Sequence, residues 1–174
     1  MRYDPEKHHR RSIRLQGYNY KTPNAYFVTI VTQHRKPLFG EITDGQMRLN
    51  AVGQMIARWW KELEQKFPTV QSDAYIIMPN HLHAIIRLRP AKPSEEAISL
   101  ATVMQWFKTM TTNEYIRHVK QDGWTPLEHR LWQRNYYERI IRNREEWESI
   151  RHYILINPQH WAEDPENPLL EAQR

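Results

Sequence analysis

Two histidines separated by a single leucine, His81-Leu82-His83, open an apolar run that continues through Ala84-Ile85-Ile86. Such a run following a Pro79-Asn80 step reads as a strand. Alternate residues of a strand share a face, so both imidazoles point one way and Leu82 the other. Two neutral imidazoles on one face are half of a metal site. They need another N or O ligand and leave positions open for water or a phosphate oxygen. On spacing alone, two polar residues on a solvated strand face is an equal reading.

The second group with chemical potential is Arg151-His152-Tyr153-Ile154-Leu155-Ile156-Asn157-Pro158. On a helix, residues i and i+4 lie one above the other, so Tyr153 and Asn157 share a face. The Asn157 amide oxygen could serve as the third metal ligand. A Tyr153 phenolate beside a metal-bound phosphate is a competent nucleophile at phosphorus. Taken singly, Tyr153 also reads as a half-buried helix aromatic, and Asn157 as an ordinary helix end before proline. The remaining histidines, at 8, 9, 34, 118, 129, 152 and 160, show no supporting spacing, and no HExxH occurs, which argues against a zinc hydrolase.

The elements that must position these residues follow from local pattern. The β-branched and aromatic run 25–32 is a strand. Residues 38–49, with Asp44-Gly45 between apolar pairs, form a hairpin, and Asn50 caps a helix over 51–67 with Val52, Met55, Ile56, Trp59 and Leu63 on its inner face. Strands follow over 73–78 and 81–89. A helix over 99–120 turns Leu100, Val103, Phe107, Met110 and Tyr115 inward and ends at Gly123. Residues 131–141 read as extended or irregular, and a last helix runs from Arg144 to Asn157, stopped by Pro158. This order lacks the regular alternation of a doubly wound fold, so the class is α+β, an antiparallel sheet flanked by helices.

A chain of 174 residues suits one compact domain. Residues 1–24 read as a basic N-terminal arm and 162–174 as a loosely attached C-terminal tail. With no cysteine, disulfides and thiolate metal sites are excluded, which fits a reducing cytoplasm. No run is long enough to span a bilayer and no secretory leader is evident, so a cytoplasmic protein without a membrane partner is expected. A net charge of +5 with a pI near 9.5 points mildly to a polyanionic partner. Seven Trp and nine Tyr offer stacking surfaces for unpaired bases, although most aromatics are expected in the core.

Taken in order, the pieces form a series: Gly17-Tyr18-Asn19-Tyr20 leading to Tyr26-Phe27-Val28-Thr29, then Met78-Pro79-Asn80-His81-Leu82-His83, Phe107-Lys108-Thr109, Leu131 to Tyr137, Ile141-Arg142-Asn143, and Tyr153-Ile154 with Asn157-Pro158. In this series the chain resembles the REP-associated tyrosine transposases, a branch of the single-tyrosine insertion-sequence transposases within the HUH superfamily of single-strand endonucleases. The resemblance implies a ferredoxin-like, RRM-like palm. It also implies that His81, His83 and Asn157 hold Mg²⁺ or Mn²⁺ and that Tyr153 is the nucleophile, giving a 5′-phosphotyrosine and a free 3′-hydroxyl. Asn157 stands where the wider superfamily often has Gln, one methylene longer. Tyr136 and Tyr137 are rival nucleophiles, but not at the helical position the family uses.

The implied partner is single-stranded or hairpin DNA, with no small-molecule cofactor. Lys108, Arg134, Arg142 and Arg14 are candidate DNA contacts, with solvated surface charge the competing reading. Insertion-sequence relatives are commonly dimers that exchange the tyrosine helix, whereas the REP-associated branch looks more compatible with a monomer, which is favoured here. Two rival functions remain: a non-catalytic regulator that binds DNA hairpins, and a metal-dependent nuclease that forms no covalent intermediate.

Overall fold

The computed structural model describes residues 23–171. The elements run β1 (Asn24–Val31), β2 (Gly40–Thr43), β3 (Gln46–Leu49), α1 (Ala51–Lys66), β4 (Val70–Ile77), β5 (His81–Leu88), α2 (Leu100–Asp122), β6 (Tyr137–Ile141), α3 (Arg144–Ile156), a 3-10 segment (Asn157–Glu163) and the short α4 (Pro168–Glu171). Among the described residues no helix is long and apolar enough to cross a membrane.

The main sheet has the order β4-β5-β1-β6, and every neighbouring pair is antiparallel. β1 and β4 are therefore parallel to each other, joined through α1 with β5 between them, and β5 and β6 are joined the same way through α2 around β1. Two interleaved crossovers of this kind make the split β-α-β-β-α-β arrangement of ferredoxin-like folds. The expected α+β palm with an antiparallel sheet is what forms. The β2-β3 hairpin is an insertion between β1 and α1, turning at Asp44 and Gly45, whose φ angles of 51° and 69° are those of a tight hairpin turn.

The sheet divides the interior in two. From one face Tyr26, Val28 and Ile30 of β1 and Leu82, Ala84 and Ile86 of β5 meet α1 and α2 in the large core. From the other, Ala25, Ala74, Ile85 and Ile141 meet Ile154 of α3, with Trp147 and Ile150 packed beside them. Alternation along β5 thus sends Leu82 into the main core and His81, His83 and Ile85 toward α3. Burial of Leu82 is what turns both histidines to the other face.

Local signals set the helix ends. Asn50 accepts from Gly53 N at 3.0 Å and Ser99 from Thr102 N at 3.1 Å, each satisfying a backbone donor that the first turn leaves unpaired. Gly123 closes α2 in the left-handed region, φ 69°.

Several elements differ from the sequence expectation. β4 begins at Val70 rather than Asp73, with a register irregularity between Ser72 and Tyr75 that periodicity does not reveal. The stretch 131–141 contains a true edge strand, β6, preceded by a bridge from Trp132 to Thr32. In α1 it is Trp60 that is fully buried, its Nε1 donating to Ser72 Oγ at 2.8 Å, while Trp59 is half-buried and donates to Glu114. In α2 Met104 is in the core and Met110 is half-buried. The segment expected to be a loose tail is packed: Asp164 and Asn167 are buried, and Arg35 pairs with Glu166 at 2.8 Å. Its polar composition hid an anchorage made by polar side chains rather than apolar ones. Arg14, like most of the expected arm, lies outside the described residues.

Gly53 sits inside α1, where alanine normally stabilises a helix. A Cβ there would stand 2.2 Å from the Phe39 carbonyl oxygen, a backbone atom held by the Asn50 N–H. Gly53→Ala is therefore expected to destabilise the fold by about 2 kcal/mol or more, read as a lower denaturation midpoint; an unchanged or raised midpoint would overturn this account of the α1–hairpin junction.

Candidate active site

The site forms where β5, β1 and the end of α3 meet. His81 is wholly buried, and its Nδ1 lies 2.8 Å from Asn80 Oδ1. The Asn80 amide nitrogen donates to the carbonyl oxygens of Arg35 (3.0 Å) and Glu166 (2.7 Å), which fixes the amide so that its oxygen faces the ring. An amide oxygen only accepts, so Nδ1 of His81 carries the proton and Nε2 carries a lone pair. That Nε2 is buried without a hydrogen-bond partner among the described residues.

His83 stands across from Thr29 in the β1–β5 register, and its Nδ1 lies 2.8 Å from Thr29 Oγ1. The two imidazole centroids are 4.4 Å apart. Burial pushes His81 down to about 3. It does the same to His83, also to about 3, with His81 acting in the same direction and Asp164 opposing. Both rings are neutral at physiological pH, as metal ligands must be.

Asp164 closes the group. Its Oδ2 lies 3.8 Å from His81 Nε2 and 4.0 Å from His83 Nε2, and one ligand atom from each of the three residues falls within 4.8 Å of the other two. Its Oδ1 accepts from Glu166 N at 2.7 Å, and Oδ2 accepts from Asn157 Nδ2 at 3.1 Å. Because the imidazoles are neutral, these contacts are not ion pairs. A carboxylate, the His81 Nε2 lone pair and the His83 Nε2 converge in a buried spot, an arrangement that a cation would stabilise. Two imidazoles and a carboxylate suit a divalent transition ion such as Mn²⁺ and admit Mg²⁺.

The structure brings Asn157 to this place, at the C-terminal end of α3, with its Nδ2 turned toward Asp164 and its Oδ1 buried and unpartnered. Tyr153, one turn earlier, is 41% exposed, and its hydroxyl lies 3.3 Å from His83 Nε2. Its ring packs on His83 at 5.3 Å and edge-on to Phe27 at 6.1 Å. Burial and the nearby Asp164 raise the Tyr153 phenol above its ordinary value, while a hydrogen bond with Asn157 pulls the other way. α3 owes its placement to Asn143, which caps Glu146 N at 2.8 Å, and to Glu146, which reaches back to Arg142 N at 2.8 Å.

Asp164 was not among the residues singled out from sequence. The available signal was an Asp-Pro step a few residues beyond Asn157, in a polar segment whose two prolines, Pro165 and Pro168, read as a tail. The expected DNA contacts lie elsewhere. Lys108 Nζ donates to the carbonyl oxygens of Gln133 (2.9 Å), Arg134 (3.4 Å) and Asn135 (3.1 Å), and burial lowers its pKa to about 8, so the ammonium holds that loop rather than standing free. Arg134 lines a groove of about 680 Å³ with His129 and Arg130. Arg142 lines a separate cavity of about 780 Å³ with Arg87, Trp147 and Arg151. Arg142 stands just before the start of α3, at the end opposite Tyr153.

The family model for IS200-like transposases matches residues 24–157. An uncharacterized protein of Haemophilus influenzae is 37% identical over 172 residues, spanning 94% of this chain and 96% of that one. A provisionally named REP-associated tyrosine transposase of the same organism is 26% identical over 136 residues, covering 76% of this chain and 69% of the relative. Among solved structures, a REP-associated tyrosine transposase bound to a REP hairpin superposes with a TM-score of 0.57 at 19% identity, covering 85% of this chain and 73% of that one, a likeness of fold.

The lowered histidines make a prediction about acid. Both are neutral when folded and titrate near 6.5 when unfolded, so the unfolded chain binds more protons below that value. Their contribution to stability is fully present above 6.5 and is lost as pH falls toward 3. In chelator, the thermal midpoint should drop across this window. The drop should be shallower in a His81→Gln, His83→Gln double variant, and equal slopes would contradict the assignment.

Proposed function

The chain belongs to the IS200-like transposase family, and we propose that it cleaves and rejoins single-stranded DNA at hairpin-forming sequences, with Tyr153 as the nucleophile and a divalent cation at His81, His83 and Asp164. The observation that carries this reading is the phenol of Tyr153 lying 3.3 Å from an imidazole of a buried three-acceptor group. Asn157 orients the Asp164 carboxylate through its Nδ2 and has an unpartnered Oδ1 available as a further ligand.

In this reading Tyr153 Oη attacks the scissile phosphorus. The bond to the 3′-oxygen breaks, giving a 5′-phosphotyrosine; the phenolic proton passes to solvent, and the departing 3′-oxygen takes one proton from solvent to become the 3′-hydroxyl. Energy of the phosphodiester is kept in the tyrosine ester, so the 3′-hydroxyl of another strand can displace Tyr153 and reseal DNA without a nucleotide cofactor. Mg²⁺ or Mn²⁺, when bound, supplies charge neutralisation and polarisation of the phosphoryl oxygens. The chain's own residues do the positioning: Asn80 and Thr29 set the imidazole planes, and the Phe27 ring and α3 set the phenol. Because Tyr153 reaches His83 within one chain, the arrangement supports a monomer as the working unit.

Two outcomes test the reading. With labelled, palindrome-containing single-stranded DNA and Mn²⁺, a covalent protein–DNA adduct should survive denaturing electrophoresis and vanish in Tyr153→Phe. Cleavage without an adduct would favour a nuclease, and binding without cleavage a regulator. Separately, Asp164→Asn should weaken Mn²⁺ binding, measured by calorimetry or paramagnetic resonance, by at least roughly tenfold; unchanged affinity would remove Asp164 from the ligand set.

A further inference from the structure

Tyr137 takes no part in the chemistry above, yet it stands in the same row of the sheet as His83. The cross-strand register runs Ile76, His83, Thr29, Tyr137 across β4, β5, β1 and β6. Strands are spaced by about 4.8 Å, so Tyr137 lies roughly 10 Å from His83 on the same face. α3 lies mainly over β4 and β5 and reaches β6 at Ile141, and Tyr137 at the other end of the β6 edge is 49% exposed. Its ring meets that of Phe27 edge-on at 6.2 Å, and Phe27 in turn lies 5.4 Å from the His83 ring and 6.1 Å from that of Tyr153.

The adjacent tyrosine is used differently. The Lys108 ammonium sits 5.4 Å from the centre of the Tyr136 ring, which packs against the main core on the α2 side. Of the pair, only Tyr137 presents its ring on the nucleophile's side. Two residues along the strand, Arg139 shares that side, is 59% exposed at its side chain and pairs with Glu146 at 2.6 Å.

We propose that Tyr137 is a stacking platform for an unpaired nucleobase of the DNA strand whose phosphate reaches Tyr153, with Arg139 beside it to meet the backbone. This inference rests on the proposed function. An aromatic face on an open sheet surface, one ring removed from the nucleophile and next to an arginine, matches the chemistry of unpaired nucleic acid, in which every base offers a flat π-surface and every linkage a negative charge. Stacking there positions the strand across the row His83–Thr29–Tyr137. Tyr137 binds the base and does not enter the reaction.

The test uses the full chain carrying Tyr153→Phe, in Mn²⁺, so that no covalent step enters. Fluorescence anisotropy is read with a short fluorescein-labelled oligothymidylate and with an abasic strand of equal length. The thymidylate should bind more tightly than the abasic strand. Tyr137→Ala should cut its affinity roughly five- to 100-fold while leaving the abasic strand unaffected, and Tyr137→Phe should restore it. Equal binding of the two strands, or an unaffected Tyr137→Ala, overturns the inference. Adduct formation by Tyr153 with Tyr137→Ala in an otherwise unaltered chain separates the two claims. An adduct formed with unchanged strand affinity sinks only the stacking, whereas base-dependent binding with no adduct in any protein sinks only the transposition chemistry.

Discussion

The site depends on placing two neutral imidazoles and a carboxylate in one dry spot. Each group alone is costly to bury unless its polar atoms are matched. The surroundings match nearly all of them: Asn80 takes the His81 Nδ1 proton, Thr29 meets His83 Nδ1, the Glu166 N–H meets one Asp164 oxygen and Asn157 the other. The His81 Nε2 lone pair is left over, and the neighbouring His83 Nε2 and Asp164 Oδ2 face the same point. A fold that uses so many second partners for orientation and leaves its acceptors converging is one whose buried polar group is compatible with a cation.

That placement is a consequence of strand register. Leu82 must be on the main-core side because the face toward α1 and α2 is the larger apolar one, and a one-residue slip of β5 against β1 would bury both histidines there instead. The β1–β5 pairing, in the centre of the sheet, is therefore the element on which the geometry of the site rests. The C-terminal segment then folds back over it, held by the Asn80 amide on the Glu166 carbonyl and by the Arg35–Glu166 pair.

Much of this was legible in the chain. The His-x-His alternation gave the shared face, the i, i+4 spacing brought Tyr153 and Asn157 to the same end of α3, and the cap at Asn50 marked a helix start that the structure reproduces. What could not be read was long-range and polar. Asp164 is brought to the histidines by a 3-10 segment and by side-chain hydrogen bonds, which leave no periodic trace. Lys108 looked like a free cation because nothing in sequence shows three carbonyl oxygens waiting for it. β6 is short and at the edge, with Tyr137 and Arg139 turned outward, so its pattern carries too little apolar alternation to announce a strand.

Burial acts on His81, His83 and Tyr153 in one consistent sense. It lowers both histidines and raises Tyr153, in each case favouring the neutral form. The same desolvation therefore keeps nitrogen lone pairs available at ordinary pH and keeps the phenol protonated beside them. Asp164, which adds to the rise that burial makes at Tyr153, is also the group whose charge a cation would offset, so the phenol's resistance to ionisation and the local excess of negative charge share one contributor. A protonated phenol held against two neutral imidazoles and a carboxylate follows from the packing of α3 and the returning C-terminal segment on a single sheet face.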